Sequence, residues 1–560
     1  MQKYLFRDEG ARAIDYLKLG KTGEEAVGNF FQGLCAISRR VLNDEVEIVS
    51  CDLTACQEWI STTANGYKTI SMDSYFSGDF QVRVSRVFLP GGKRNIGIVE
   101  RPGFSTLQQQ VARIPPGTYN LVDDMMYTGR TVRPILEQLG AQGVSIAEVL
   151  VSVRVGCPEL DIPVRGMVSY EPHEIRNRGI DNPRDFLAGA HEGGLVVHYP
   201  WPLPSGTIVR TPYVFPFVDP SARIGVPRER ALEFSRRVWE LNCVFWGQFP
   251  SVRVCDTAAA FAYGVERLGI PADEPMERFC ERMLDLLNFP EIEFNVPGQG
   301  VIWLDLNDTL INIDRLLTVR KGEWMSFVQE IEGQGWMLGL CSDSPHEALK
   351  KWGERHGIHG PIIAEGGALL NGIPVSTDNP MPVEELKDLI REWADEQGIH
   401  VFPDVLSAEF QESSRALGET GIGFGAGRTQ TLAVFCRRNG ESDPELTKRL
   451  GEFVERTKIA ERFGIDPRTI DCSPSYGFFA FCSPHKKGKI LRAVGWELYK
   501  QGKSCYMIGN STSDLAYCPP LCQTGIVGDG TLAAQKGADL LASAPCTQGV
   551  VELVSSIVGM

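Results

Sequence analysis

At 560 residues the chain is too long for a single hydrophobic core, and about three domains are expected. Its composition, 43% hydrophobic and 23% charged, is that of an ordinary globular protein rather than a disordered or fibrous one. A net charge of −15 with no block of Lys and Arg argues against nucleic acid as the partner, and for small molecules held at local sites.

No apolar run is long enough to span a bilayer, and the opening MQKYLFRDEG lacks the layout of a signal peptide. No membrane partner and a cytoplasmic location are therefore expected. The fifteen cysteines are odd in number and scattered, and Cys341, Cys482 and Cys505 sit in apolar runs. That suits reduced, buried thiols better than a disulfide framework. CDLTAC (Cys51, Cys56) and CPPLC (Cys518, Cys522) each resemble half of a zinc site, but neither has a second ligand pair nearby.

In chain order, EVEIVSCDL, QVRVSRVFL, TYNLVDD and AEVLVSVRV read as strands, and the alternation from 118 to 155 reads as a parallel α/β unit. FLPGGKRNIG turns on two glycines and presents Lys93 and Arg94. TYNLVDD ends in Asp123 and Asp124, at the expected carboxyl edge of a buried strand, where open α/β sheets bind ligands. MMYTGRT follows, with Thr128, Gly129 and Thr131 small or hydroxylated. Pro134 fits a first helical turn, Ile135, Leu136 and Leu139 form an apolar face, and Gly140 is the expected stop.

Such a turn aims backbone N–H groups and threonine hydroxyls at one point, where the helix dipole also favours an anion. A monophosphate fits there. Asp123 and Asp124, being acids, cannot hold it, but they suit a pair of sugar hydroxyls or a Mg²⁺ ion near them. Phosphate at one end and a diol at the other describes a ribose 5-phosphate. A capped strand–turn–helix without a ligand is the plainer alternative.

The stretch at residues 118–131, with LVDDMMYTGRT, resembles the PRPP-binding motif of type I phosphoribosyltransferases. The form with Tyr before Thr-Gly-Arg-Thr is closest to the pyrimidine-attenuation regulator with uracil phosphoribosyltransferase activity. The resemblance implies that Asp123 and Asp124 hold the ribose 2- and 3-hydroxyls, with Asp124 in the catalytic centre. It implies that Tyr127, Thr128, Gly129, Arg130 and Thr131 cradle the 5-phosphate. Lys93 and Arg94 would answer to the family's mobile basic loop at the pyrophosphate, an ordinary hairpin tip being the competing reading. GIDNPRDFLAGAHEGGLV (179–196) is a candidate for the hood that holds a base-like acceptor.

From 227 to 287 the pattern turns helical, and NFPEIEFNVPGQG then precedes a strong apolar strand. VIWLDLNDTL ends its strand in Asp305, WMLGLCSDSP in Ser342, and CYMIGNSTSD in Gly509 followed by Asn510 and Asp514, while KKGKILRAV opens a helix with Lys487. A carboxylate, a hydroxyl, a lysine and a second carboxylate at strand ends are the equipment of phosphoryl transfer through an aspartyl phosphate. Order and spacing resemble the haloacid dehalogenase (HAD) superfamily over 296–560, with IIAEGGALLNG leading into a large cap as in its sugar-phosphatase branch. The resemblance implies Asp305 as nucleophile, Ser342 and Lys487 as phosphate ligands, and Asp305, Asn307, Asn510 and Asp514 around Mg²⁺. Two positions depart from it. Asn307 stands where these phosphatases carry a general acid, and Asn510 where they carry the first acid of the last motif. His485, before Lys486 at a helix start, is a further candidate for touching phosphate; His356 and His359 of HGIH are not read as a ligand pair.

The expected architecture is α/β. A type I phosphoribosyltransferase-like parallel sheet (1–225) is followed by a helical connector (226–295). A Rossmann-like HAD core (296–373 and 484–560) carries an inserted α+β cap (374–483). The expected function is a bifunctional phosphoribosyltransferase and phosphatase. It would join the 5-phosphoribosyl group of PRPP to a base-like acceptor, then remove the 5-phosphate to leave a nucleoside-like product. Fusions of these domain types resemble proteins from bacterial stress and tellurium-resistance gene neighbourhoods. The alternative is a PRPP- or nucleotide-sensing regulator whose HAD site holds a phosphorylated sugar or nucleotide without hydrolysing it. A homo-oligomer is left open.

Overall fold

The computed structural model describes residues 2–8, 17–42, 46–73, 76–156, 159–175, 183–203, 206–312, 314, 316–375, 380–402, 415, 420–483 and 486–559. The chain divides into two compact units. One is Met1–Asn288 with Tyr517–Gln523 and Lys536–Asp539; the other is Phe289–Ala516 with Thr524–Gln535 and Leu540–Met560. Among the described residues no helix is long and apolar enough to cross a membrane.

In the first unit, the elements that matter for the site are β1 (Lys68–Ser71), β2 (Val84–Phe88), β3 (Gly117–Met126), α1 (Val132–Ala141), β4 (Val144–Val155), β5 (Val164–Tyr170), β6 (Leu195–Leu203) and β7 (Gly206–Thr211). Phe80–Gln81, β1, β3, β4 and β5 form a five-stranded sheet in that order, every neighbour parallel. Its central strands are covered on both faces, as a parallel sheet requires. Leu121, Val149 and Val151 pack with Ile135 and Leu139 of α1, while Val122 and Leu150 pack on the opposite side with Cys56, Ile60 and Phe76. A second, four-stranded sheet runs β7, β6, β2, Asn95–Glu100. The helices Ala231–Gly247, Ala259–Glu266 and Met276–Leu287 also belong to this unit, so the stretch read as a connector falls within it up to Asn288.

Three local expectations change. QVRVSRVFL is not one strand, because Phe80–Gln81 joins the first sheet and β2 joins the second. The break has a cause at Arg83. Its N–H donates to Gln110 Oε1 (2.6 Å), which takes that group out of any ladder, while its carbonyl accepts from Gln110 Nε2 (3.2 Å) and from Arg101 N (3.0 Å) on the second sheet's side. The strand that carries Asp123 and Asp124 runs on to Met126 instead of ending at the acids. Gly140 lies inside α1, and the left-handed turn beyond the helix is Gly143, with φ 74°.

In the second unit, the main strands are β8 (Gly300–Leu304), β9 (Trp336–Cys341) and β10 (Ile362–Ala364), followed by helix α2 (Lys487–Lys500) and β11 (Ser504–Gly509). The central run of an eight-stranded sheet is β10, β9, β8, β11, with these neighbours parallel. Every residue from Val301 to Leu304 is fully buried, which is why VIWL reads as continuous apolar sequence with no alternation. The register is level: Leu304 pairs with Leu340 on one side and with Ile508 on the other. The residues just beyond β8, β9 and β11 therefore emerge at one edge.

The described residues 380–402 and 420–483 add a separate sheet and helices that include Val383–Glu396 and Pro444–Arg456. Leu386, Ile390, Leu446 and Leu450 of those helices pack on Ile422, Val434 and Phe479 of the sheet. This layer has a core of its own, about 1.5–3 kcal/mol for each large apolar side chain buried.

Candidate functional site

In the second unit, Asp305 follows β8 and is buried, with its backbone N–H donating to Ile508 O (2.9 Å). Lys487, the first residue of α2, donates from Nζ to Asp305 Oδ1 (2.9 Å) and to Asp514 Oδ1 (3.0 Å). Thr309 Oγ1 donates to the other oxygen of Asp305 (3.3 Å). Burial pushes the Asp305 carboxyl up, and the nearby Lys487 ammonium opposes that shift. Burial alone would lower Lys487, but Asp305, Asp343 and Asp514 outweigh it and hold the ammonium well above its usual range. A buried lysine between two carboxylates stays charged, and is tolerable only because both partners are present.

Asp514 is fully engaged. Its second oxygen accepts from Asn510 N, Ser511 N and Ser511 Oγ, at 3.1, 3.1 and 2.9 Å. Through Oδ1 it also orients Lys487, a role beside the one the motif implies. Gly509 leaves room for it, since a Cβ there would lie 2.4 Å from the Asp514 side chain. Gly509→Ala should displace Asp514 and, through it, Lys487. We expect kcat at this site to fall about 100-fold, as a misplacement near 1 Å does elsewhere, with a single cooperative melt retained by calorimetry.

Ser342 follows β9 and is buried, its hydroxyl 3.4 Å from both Ser344 N and Ser344 Oγ. Asn307 and Asp308 are exposed beyond the nucleophile position, and Asp308 sits at φ 55°. For Mg²⁺ the expected donors are two carboxylates, Asp305 and Asp514, with neutral oxygens of Asn307 and Asn510. That fits an ion that is usually held by one or two carboxylates and completed by substrate phosphate.

Sequence reasoning missed Glu365 and Arg428. Glu365, just after β10 and at φ 50°, is 1% exposed. Its Oε1 accepts from Thr429 N (2.9 Å) and Thr429 Oγ1 (3.4 Å), and its Oε2 from Gln430 N and Thr431 Oγ1 (both 2.9 Å). The loop so held carries Arg428, whose guanidinium is lowered by burial, with Glu365 and Asp343 as its charged neighbours. Nothing in GAGRTQT resembles a motif, so only the fold reveals the contact.

In the first unit, Asp123, Asp124 and Thr131 line one cavity of about 190 Å³. Asp124 N donates to Asp123 Oδ1 (3.0 Å) and Met125 N to Asp124 Oδ1 (2.6 Å). Among the described residues, the side chains close enough to share a metal ion are Asp73, Asp123 and Asp124, their oxygens within 4.8 Å of one another. Asp73, at the end of the β1 segment, is a third acid that the motif did not announce, and no cysteine joins the group.

The turn after β3 is built on Gly129, at φ 71°, whose carbonyl accepts from Val132 N and Arg133 N (both 3.0 Å). Thr131 makes no side-chain cap bond. The Tyr127 ring packs with Val153, Val155 and Ile175, so this residue offers the turn its backbone and not its ring. Thr128 and Arg130 are exposed on the turn.

Lys93 and Arg94 sit in the turn after β2 and outside the cavity lining, Lys93 lying 3.8 Å from Asp219. The cavity's cations are instead Arg86, Arg101, Arg184 and Arg210. The region read as a hood does reach the cavity, through Arg184, Asp185, Glu192, Gly194, Leu195 and Val196. Its residues 179–182, like His485, lie outside the described residues.

No family model and no curated protein matches the chain. Solved structures do. A haloacid dehalogenase-like hydrolase from Bacteroides thetaiotaomicron aligns with 46% of this chain and 99% of its own, at 16% identity and TM-score 0.33. A haloacid dehalogenase-like hydrolase from B. subtilis covers 46% of this chain and 98% of its own, at 12% identity and TM-score 0.32. Thermoplasma acidophilum 0175 covers 47% and 99%, at 13% identity and TM-score 0.32. At these scores the likeness carries no argument, and the chemistry is read from the side chains.

Proposed function

We propose that the chain is a bifunctional enzyme that transfers 5-phosphoribosyl from PRPP to a small acceptor and hydrolyses the 5-phosphate of the product. The observation that carries the second activity is the Asp305–Lys487–Asp514 arrangement at the ends of parallel strands. In this reading a carboxylate oxygen of Asp305 attacks the phosphoryl group, Lys487 and Ser342 balance charge on its oxygens, and water then hydrolyses the aspartyl phosphate. A bound Mg²⁺ would supply further neutralisation of the phosphoryl oxygens, with Asp305, Asn307, Asn510 and Asp514 to hold it. Asn307 cannot donate a labile proton, so the reaction is slow unless the leaving group is already good.

For the first activity, the support is a cavity that holds Asp123 and Asp124 beside Thr131, the end of the glycine turn. The two carboxylates accept the ribose hydroxyls and the turn's amides take the 5-phosphate. Asp124→Asn should lower PRPP-dependent pyrophosphate release about 10- to 100-fold, the worth of a charged hydrogen bond or two, while the melting curve is unchanged. An unaltered rate sinks the ribose assignment. Phosphorus NMR with PRPP, Mg²⁺ and a small-molecule cell extract tests the pair of reactions together: pyrophosphate first, then orthophosphate only where Asp305 is intact.

The sensor reading is favoured by Asn307 and Asn510 alone. It predicts that PRPP binds but that neither pyrophosphate nor orthophosphate appears.

A further inference from the structure

The second sheet gives the cavity a set of cations that the ribose 5-phosphate reading does not use. Arg86 on β2 and Arg210 on β7 line it, with Arg101 and Arg184, and only Asp185 and Glu192 among the lining acids oppose them on this wall. Arg101 Nη1 donates to Glu192 Oε2 at 2.7 Å. Arg210 is 7% exposed and anchored to main chain, Nε donating to Gly193 O (2.6 Å) and Nη2 to Glu192 O and to Gly194 O (3.3 Å). Its Nη1 and the Nε of Arg101 are buried with no hydrogen-bond partner among the described residues. Burial, and then the neighbouring Arg101, lower the Arg210 guanidinium to about 9. Buried, mutually repelling guanidiniums of this kind are completed by an anion, and the planar fork matches a carboxylate best.

Which reactant brings that anion follows from the acids. A diphosphate leaving group travels with a divalent cation, and the carboxylates able to hold one are Asp73, Asp123 and Asp124, on the first sheet. Arg86 and Arg210 belong to the second sheet, opposite those acids, and so serve the other reactant. We propose that the acceptor bears a carboxylate, received by Arg210 and Arg86, and that this charge selects it over neutral bases. The inference rests on the phosphoribosyl-transfer reading. In the step itself the acceptor nitrogen's lone pair forms the bond to C1 of PRPP. The C1–O bond breaks with its electron pair on diphosphate, and the acceptor's N–H proton passes to diphosphate or water.

The test is calorimetric titration of the full chain, saturated with ribose 5-phosphate and Mg²⁺, by matched probes: orotate against uracil, nicotinate against nicotinamide, imidazole-4-carboxylate against imidazole. The carboxylated member should bind at least about tenfold tighter, the worth of one charge-assisted bond. Arg210→Gln should remove the difference and leave the ribose 5-phosphate Kd within twofold. Arg86, exposed on β2, gives a second variant that spares the fold, and Arg86→Gln should reduce the same preference. Equal binding of charged and neutral probes overturns the proposal. So does a loss confined to added pyrophosphate, which would assign the arginines to the leaving group. Failure of ribose 5-phosphate itself to bind removes the transferase reading, and the acceptor proposal goes with it.

Discussion

Asp305→Asn is expected to abolish release of orthophosphate from phosphomonoesters by the full chain, a fall of about three to six powers of ten, as loss of a covalent nucleophile produces. The substitution keeps the size of the side chain but removes the attacking oxygen's charge. It also leaves Lys487 facing Asp514 alone, because an amide cannot match the 2.9 Å charged bond that Asp305 makes. Stability and nucleophilicity therefore need separate readouts. A melting curve close to wild type together with no phosphorylated protein by intact mass would locate the loss in chemistry. Residual turnover above about one part in a hundred would mean that another group attacks.

Asn307→Asp is expected to act in the opposite direction, raising hydrolysis of a phosphate ester with a poor leaving group by about two to four powers of ten. The position is exposed, so an added carboxyl costs the fold little desolvation. A nitrophenyl phosphate, whose leaving group needs no proton, should gain far less. That contrast separates general acid catalysis from a general improvement in binding. Equal gains on both substrates would show that the new charge acts on Mg²⁺ or on substrate affinity, and no gain on either would show that Asn307 is not in reach of the leaving oxygen.

Much of the second unit was legible because its strands are buried on both faces, which leaves strand, acid and turn as clean punctuation. VIWLDLNDTL and CYMIGNSTSD each yield the strand and the residue after it, and the level register then brings Asp305 and Asn510 together. What spacing could not provide was the direction of each carboxylate. Nothing in NSTSD announces that the Asp514 oxygens accept from Lys487 and from Asn510 and Ser511 N–H groups. The first unit was harder. The acids and the glycine turn at 123–131 are local in sequence, but the arginines come from widely separated segments and meet only through pairing of β2, β6 and β7. Lys93 and Arg94 drew the eye by sitting together, whereas Arg86 and Arg210 are separated by more than a hundred residues and form no visible pattern. Arg83 illustrates the same limit, since no propensity for QVRVSRVFL accounts for a distant glutamine that occupies one residue's main-chain N–H.

The grip of Glu365 on residues 429–431 is a latch with a single pin. The donors converge on one carboxylate from two backbone amides and two hydroxyls, so they are lost together and not one by one. Parting this loop from Glu365 would leave a buried carboxylate without its donors. Each charged bond is worth about 1.5–3 kcal/mol at most, enough in sum to make unlatching slower than a simple loop fluctuation. On the proposed phosphatase reading, that latch would pace departure of product from Asp305, and the clock would be a residue outside the reacting set.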